Sequence, residues 1–317
     1  MRKPTPMSDE GHLPVLCAEV VELLVRGEGQ DYLDATFGGG GHTRALLEAD
    51  PHGTVVAVDQ DPAAAARAAA LKAEFGERLC FFAMNFEETG GLREEGFAGA
   101  VFDLGVSSFQ LDAGERGFSF RGDAPADMRM NPQAGVPAWE FLESAPREEL
   151  VRAVRDYGEE PRWRRVVAAI EEARGTGRLA RTGSLAEVVR TAIGPGAARK
   201  LRIDPATRTF QGIRIYVNRE LEALEAALPA VFGKLMPGGV MVAISFHSLE
   251  DRLVKRAFRR LAGEPEHAGD AVPKDLRVRR AELLTRKPVV PGEAEQARNP
   301  RSRSARLRAL RKLPEAA

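Results

Sequence analysis

Apolar and polar residues follow two rhythms along the first third of the chain. Apolar runs of strand length lie at 31–36, 54–59, 79–83 and 99–104. Segments with helical spacing separate them, including the alanine-rich Pro62–Phe75. Strands alternating with helices predict a mostly parallel sheet with helical crossovers. Ahead of the first strand, His12–Leu24 carries apolar residues at helical spacing from Val15 onward. That pattern predicts an amphipathic helix packed on the sheet. The rhythm stops after Asp103. From Phe109 to Ala206 no segment reads as a strand, and helices are predicted near 138–156, 161–174 and 184–193, punctuated by Gly and Pro. A long amphipathic helix follows, with Phe210, Ile213, Val217, Leu221, Leu224, Leu228 and Leu235 on one face, ended by Pro237-Gly238-Gly239. Val240–Phe246 resumes the sheet as a buried strand. Beyond about Ala262 the chain reads as loop-rich, with a further strand at Leu283–Val290. The expected organisation is an α/β core over 1–108, an inserted helical subdomain over 109–206 that recognises substrate, and the rest of the core over 207–317 with a basic C-terminal tail.

The first strand runs into DATFGGGGHT, Asp34 to Thr43, and the second ends in Asp59. A glycine-rich turn between a strand and a helix lets a ligand approach the backbone with no Cβ in the way. An acidic residue at the end of the next strand commonly accepts hydrogen bonds from a ribose diol. Together these predict a nucleoside-cofactor site on a Rossmann-like sheet. The dinucleotide pattern G-x-G-x-x-G/A fails: counted from Gly38 and Gly40 it reaches Thr43, and counted from Gly39 and Gly41 it reaches Arg44. The pattern D-x-x-x-G-x-G fits as Asp34, Gly38 and Gly40, and it belongs to methyltransferases that use S-adenosylmethionine.

The fourth strand ends in DLGVSS, Asp103 to Ser108, so Asp103 is expected to face the same crevice. An exocyclic base amine is a poor nucleophile because its lone pair is delocalised into the ring. A carboxylate that accepts its N–H draws the nitrogen toward tetrahedral geometry. Asp103 is therefore the first candidate for catalysis, with Ser107, Ser108 and His247 behind it. His247 stands in SFHSLEDR, Ser245 to Arg252, where Ser248 and Asp251 read as a capping-box variant. No G-x-S-x-G elbow makes a hydrolase of this cluster.

Composition bounds the picture without redirecting it. The chain has 317 residues, with 46 Lys and Arg against 46 Asp and Glu, so bulk charge calls for no polyanion. Its distribution is uneven: Arg298, Arg301, Arg303, Arg306, Arg308, Arg311 and Lys312 form a segment without acids. Arg252, Lys255, Arg256, Arg259, Arg260, Arg277, Arg279 and Arg280 add to it, and phosphate contacts are expected there. Cys17 and Cys80 lack CxxC spacing and are expected as buried thiols, and no His/Cys grouping suggests a metal. There is no apolar run of membrane-span length and no apolar core in the N-terminal segment, so a cytoplasmic protein without a membrane partner is expected.

Eight motifs in order carry a specific resemblance: DATFGGGGHT, FDLGVSSFQLD (Phe102–Asp112), ERGFSF (Glu115–Phe120), ADMRMNP (Ala126–Pro132), YGEE (Tyr157–Glu160), PATRTFQGIRIYVNREL (Pro205–Leu221), SFHSLEDRLVK (Ser245–Lys255) and NPRSRSARLR (Asn299–Arg308). From about His12 to Arg308 the chain resembles the bacterial small-subunit rRNA cytosine-N4 methyltransferases, the MraW or RsmH family. The resemblance implies a class I S-adenosylmethionine-dependent methyltransferase core with a helical insertion. It implies methylation at N4 of a cytidine in the decoding region of 16S rRNA, within the small ribosomal subunit and without a metal. It places cofactor contacts on Gly40, Gly41, His42, Asp59, Phe86, Asp103 and Gln110, beside Asp34 and Gly38 of the glycine pattern. Three departures stand out: Phe109 where the family usually has Pro, Ala126 for Leu, and Asp204 for His. Two other readings stay open, a nicotinamide-dependent dehydrogenase and a non-catalytic RNA-binding or assembly factor on the same fold.

Overall fold

The computed structural model describes residues 14–92, 96–195 and 203–314. The chain divides into two compact units, one from Met1–Gly105 with Ala223–Ala317 and one from Val106–Glu222. The second unit starts before and ends beyond the expected 109–206 segment.

The first unit is built on a seven-stranded sheet. Its strands are β1 (Asp31–Asp34), β2 (Thr54–Asp59), β3 (Leu79–Ala83), β4 (Phe97–Asp103), β5 (Leu235–Ser245), β6 (Ala281–Leu283) and β7 (Arg306–Lys312), in the order β3-β2-β1-β4-β5-β7-β6. The ladders joining β3, β2, β1, β4 and β5 are parallel, and those of β7 with β5 and β6 are antiparallel. Successive side chains of a strand point to opposite faces, and two cores result. Leu33, Val56, Val58, Ala100, Phe102, Met241 and Ala243 pack with residues 224–232 and 254–258 on one face. Tyr32, Val55, Ala57, Val101, Val242 and Ile244 pack on the other against α1 (Cys17–Leu24), α2 (Gly41–Ala49) and α3 (Pro62–Phe75). His12 and Leu13, where the first helix was expected to begin, lie outside the described residues.

The second unit is helical, with α4 (Ser108–Asp112), α5 (Ala138–Ser144), α6 (Arg147–Val151), α7 (Trp163–Ala173), α8 (Thr182–Ile193) and α9 (Ala206–Asn218). Phe141, Leu150, Val154, Val166, Ile170, Leu185, Val189, Phe210 and Ile213 form a core of its own. The helix expected over 138–156 is broken at Ala145, whose extended backbone precedes Pro146. After α6 the chain widens into a π-helical turn, Arg152–Tyr157, against which α9 lies so closely that a Cβ on Gly212 would run into the Ala153 carbonyl oxygen. Asp204, one of the departures from the family pattern, accepts from the Ala206 N–H at the start of α9 and pairs with Arg190 at 2.9 Å.

Four other expectations give way. The long helix over Phe210–Leu235 is two helices, α9 and α10 (Glu220–Lys234), because Arg219 between them adopts a left-handed conformation with φ 51°. Pro237-Gly238-Gly239 does not precede the strand but sits inside β5, where the register against β4 shifts between Phe97 and Gly99. The C-terminal segment read as a loop-rich tail forms β7, and Val289 contributes only an isolated bridge to Leu307. Cys17 is half-buried and Cys80, on the edge strand β3, is exposed, so neither is the buried thiol expected.

Candidate active site

Strand order reverses at β1: β2 and β3 lie to one side of it, β4 and β5 to the other. In open α/β sheets such a switch point leaves a crevice at the carboxyl ends of the strands. Asp34, Asp59 and Asp103 close β1, β2 and β4. The glycine loop between β1 and α2 is held by the first two. Asp34 Oδ2 accepts from the Thr43 hydroxyl at 2.6 Å and Oδ1 from the Thr36 N–H at 3.0 Å. Asp34 is 1% exposed, and burial raises its pKa against the opposing effect of these donors and of His42. Its two oxygens thus serve the loop itself. Thr36 also accepts from the Asp103 N–H at 2.6 Å, tying the end of β4 to the loop. Thr36 and Thr43 are site-building residues that the sequence reading passed over. Their signal is small hydroxyl side chains two and nine positions after a strand-end Asp.

Gly38 and Gly40 have φ 52° and 77°, a region that favours glycine. A Cβ on Gly40 would lie 2.7 Å from the Phe37 ring and 3.3 Å from Leu71. Packing of its own loop therefore requires Gly40, before any ligand does. A Cβ on Gly41 would press on Pro14 at 3.1 Å.

Asp59 accepts from Gly38 N–H at 2.7 Å through Oδ2 and from Asp61 N–H at 2.8 Å through Oδ1. Burial pushes its pKa up to about 6, against those two hydrogen bonds and the nearby Arg67. A carboxylate offers about four acceptor positions, so each oxygen keeps capacity for a further donor. The Asn85 side chain accepts from Glu87 N–H at the start of the turn that carries Phe86. The Phe86 ring packs edge-on against Phe102 of β4, 6.0 Å between centroids.

His42 and Asp103 meet beside these groups. His42 Nε2 lies 3.4 Å from Asp103 Oδ2, while Asp103 Oδ1 is buried with no hydrogen-bond partner among the described residues. Burial opposes protonation of His42, but Asp103, Cys17 and Asp34 outweigh it and raise the pKa to about 10. Asp34, Gly38, Gly40, Gly41, His42, Asp59, Phe86 and Asp103 all belong to the first unit, at or just beyond the carboxyl ends of β1 to β4.

Ser107, Ser108 and Gln110 belong to the second unit. Ser107 caps α4, accepting from Gln110 N–H at 3.2 Å, while Gln110 Oε1 accepts from Ser107 N–H at 2.9 Å. His247 is the N-cap of α11 (Ser248–Leu261). Its Nδ1 accepts from Glu250 N–H, and the Glu250 carboxylate accepts from Phe246 N–H at 2.8 Å. The capping box is thus His247 with Glu250, not Ser248 with Asp251 as expected. The imidazole nitrogen takes the place of the hydroxyl acceptor one residue earlier.

Asp251 has another task. Arg308 of β7 meets it with Nε at 2.7 Å and a terminal nitrogen at 3.1 Å, both side chains about nine-tenths buried, and Arg306 adds a contact at 3.3 Å. Burial would raise the Asp251 pKa, but the two arginines hold it below the usual range. Arg311 pairs with Glu282, Lys312 donates to the Gly233 and Leu235 carbonyls, and Arg277 pairs with Asp270. Much of the expected phosphate-binding tail is thereby committed to the fold. Arg252, Lys255, Arg256 and Arg260 on α11, with Arg303, remain on the exposed surface.

The sequence model of a family described as the MraW methylase family matches residues 9–313. "Ribosomal RNA small subunit methyltransferase H" of Geobacter sulfurreducens is 48% identical over 314 residues, covering 95% of this chain and 99% of the relative. The proteins of the same name from Heliobacterium modesticaldum and a Methylobacterium species are 46% and 47% identical, covering 95% and 96% of this chain and 98% and 91% of theirs.

Proposed function

The chain belongs to the MraW methylase family, and from that premise we propose that it transfers a methyl group from S-adenosylmethionine to N4 of a cytidine in the decoding region of 16S rRNA. The fold is the α/β class I methyltransferase architecture, its sheet running β3-β2-β1-β4-β5-β7-β6. The relatives' name supplies the substrate class, small-subunit ribosomal RNA. The observation that carries the chemical reading is Asp103: a carboxylate ending β4 beside the switch point, with one buried oxygen lacking a partner.

The residues of the crevice fit the cofactor. Asp59 retains acceptor capacity for a ribose diol, Phe86 flanks the base, and Gly38, Gly40, Gly41 and His42 line the turn. Asp34 supports that turn. Bound there, S-adenosylmethionine supplies an electrophilic methyl group on a sulfonium. Asp103 Oδ1 accepts the N4–H hydrogen bond, draws the nitrogen toward tetrahedral geometry and stabilises the positive charge that develops on it. Once the nitrogen has formed its bond to the methyl carbon, Asp103 or water takes the N4 proton. Holding amine and methyl donor in line supplies much of the rate, and the target base must be unstacked to reach the crevice. Ser107, Ser108 and His247 are subsidiary candidates, all of them already engaged as helix caps or beside one.

The helical unit is the substrate-recognition part in this reading. Its surface carries Trp163 with Arg155 at 5.4 Å and Arg164 at 4.3 Å from the ring, in a cleft also lined by Arg147. Arginine and an aromatic face suit unstacked RNA bases and phosphates. The exposed basic residues of α11 offer further phosphate contacts, and the site of action is the cytoplasm. No helix among the described residues is long and apolar enough to cross a membrane.

The test is direct. Purified protein is incubated with unmodified small ribosomal subunits and methyl-labelled S-adenosylmethionine, and the RNA is digested to nucleosides. Label in N4-methylcytidine, mapped to one decoding-region position, is expected. Label on another atom, or none above a cofactor-free control, overturns the assignment.

A further inference from the structure

His42 is the second residue of α2, Asp103 ends β4 and Asp34 ends β1. The imidazole is only 4% exposed and faces three groups from three elements: Asp103, Asp34 and, on α1, Cys17. A buried charge without a partner is costly. Asp103, the Cys17 thiol and Asp34 nevertheless raise its pKa to about 10. Its Nε2 stands 3.4 Å from Asp103 Oδ2, and the Asp103 N–H is anchored on the Thr36 hydroxyl at 2.6 Å. Asp103 is thus anchored at its backbone, and the His42 imidazole, neither nitrogen of which has a hydrogen-bond partner among the described residues, stands at ion-pair distance from one carboxylate oxygen. The other oxygen, Oδ1, is buried and without a partner among the described residues.

We propose that His42 is a positioning residue for methyl transfer: its side chain engages Asp103 Oδ2 and leaves Oδ1 to receive the N–H of the target amine. The inference rests on the reading of Asp103 as the amine acceptor. It goes further, because it assigns the His42 side chain to the carboxylate and gives it no part in the proton transfer. An imidazole that already carries its proton at neutral pH has no capacity for the amine proton. That proton leaves to Asp103 Oδ1 or to water while His42 stays charged. An imidazolium beside it also offsets the cost of placing the Oδ1 oxygen away from solvent.

Two measurements test this. The first needs no substrate. In protein labelled with nitrogen-15 at histidine, the His42 ring nitrogens should show protonated shifts from pH 6 to 9, and Asp103→Asn should lower the titration midpoint by two units or more. A midpoint that Asp103→Asn leaves unchanged overturns the coupling. The second is a double-mutant cycle in single turnover at saturating S-adenosylmethionine and ribosomal subunits. At saturating cofactor, His42→Ala should slow the reaction at least about tenfold, less than the hundredfold or more expected for a group that itself contacts the reacting atoms, with any change in cofactor affinity measured separately. His42→Gln, whose amide can still donate to Oδ2, should recover part of the rate, and it replaces the Ala variant in the cycle should that variant fail to fold. On an Asp103→Asn background the His42 substitution should cost little more. An equal cost in both backgrounds means that His42 acts independently of Asp103, which sinks the proposal. A loss of cofactor affinity with the rate intact does so too. A wild-type chain that transfers no methyl group refutes the proposed function instead, and the nitrogen-15 titration then decides on the pair by itself.

Discussion

With Asp59 as the proposed acceptor for the cofactor's ribose diol, cofactor affinity should depend on pH in a direction fixed by the surroundings of that carboxylate. Burial raises its pKa to about 6, although Gly38 and Asp61 both donate to it. A ribose diol donates hydrogen bonds, so it favours the ionised carboxylate. Affinity should therefore be full above about pH 7 and fall as pH drops through 6. One unit below the midpoint about one carboxyl in eleven is ionised, so affinity at pH 5 should be roughly tenfold weaker than the plateau. Around pH 6 binding should release about half a proton, visible as a calorimetric enthalpy that changes with the ionisation heat of the buffer. Asp59→Asn keeps one acceptor oxygen and loses the charge. It should weaken S-adenosylmethionine by about 1–3 kcal/mol at pH 8 and remove the dependence below 7. The assay is isothermal titration calorimetry of both proteins between pH 5 and 8. His42 does not titrate in this window, since its pKa is raised to about 10. A wild-type affinity that is flat over the range, or a slope that survives Asp59→Asn, would refute the reasoning. The folding contribution of Asp59 has the opposite sense. The folded protein binds this proton more tightly than the unfolded chain, so stability from Asp59 is present below the ordinary value of 3.8 and is lost as pH rises through about 6.

Four further outcomes follow from the packing. Arg308→Met should cost about 3–5 kcal/mol in urea unfolding, because it strands the buried Asp251; a loss below about 1 kcal/mol would return Arg308 to the RNA-facing surface. Since the arginines depress the Asp251 pKa, the stability this group supplies is present above the usual carboxylate range and lost as pH falls below it, so acid should denature wild type more steeply than Asp251→Asn. Gly40→Ala should destabilise the fold by about 1–3 kcal/mol through its contact with Phe37 and its left-handed backbone; an unchanged melting temperature with abolished cofactor binding would instead make the ligand the reason for the glycine. Excising 135–202 should unfold the second unit, since it removes the helices that bury Met128, Phe210 and Ile213, and a cooperative melt from what remains of that unit would contradict this.

The parallel half of the sheet was legible because its strands are short apolar runs bounded by Gly, Asp and helix-like segments, and β1 to β4 fall within a residue or three of the expected bounds. The edge that closes it was not. β7 reads RLRALRK, where Arg308 occupies a buried position that a pattern reader assigns to solvent. Asp251, far away in sequence, makes that arginine tolerable inside. The break at Arg219 was hidden for a different reason: an arginine carries no signal for a left-handed conformation, and the apolar stripe runs across it. Asp34, Asp59 and Asp103 could be found because each ends a strand. The His42–Asp103 contact could not, since it depends on how the start of α2 faces β4 across the switch point.

The central claim is that Asp103 is the acceptor for the amine, and a single-turnover comparison tests it most directly. Wild type, Asp103→Asn and Asp103→Ala are each saturated with S-adenosylmethionine and small ribosomal subunits, with cofactor affinity measured separately by calorimetry, so that chemistry is separated from binding. The Ala variant should transfer methyl at least about a hundredfold more slowly than wild type, as expected for one preorganised electrostatic group, and Asn should fall between them. An Asp103→Ala protein that loses cofactor affinity yet keeps the wild-type single-turnover rate would make Asp103 a binding residue only, and would contradict the account.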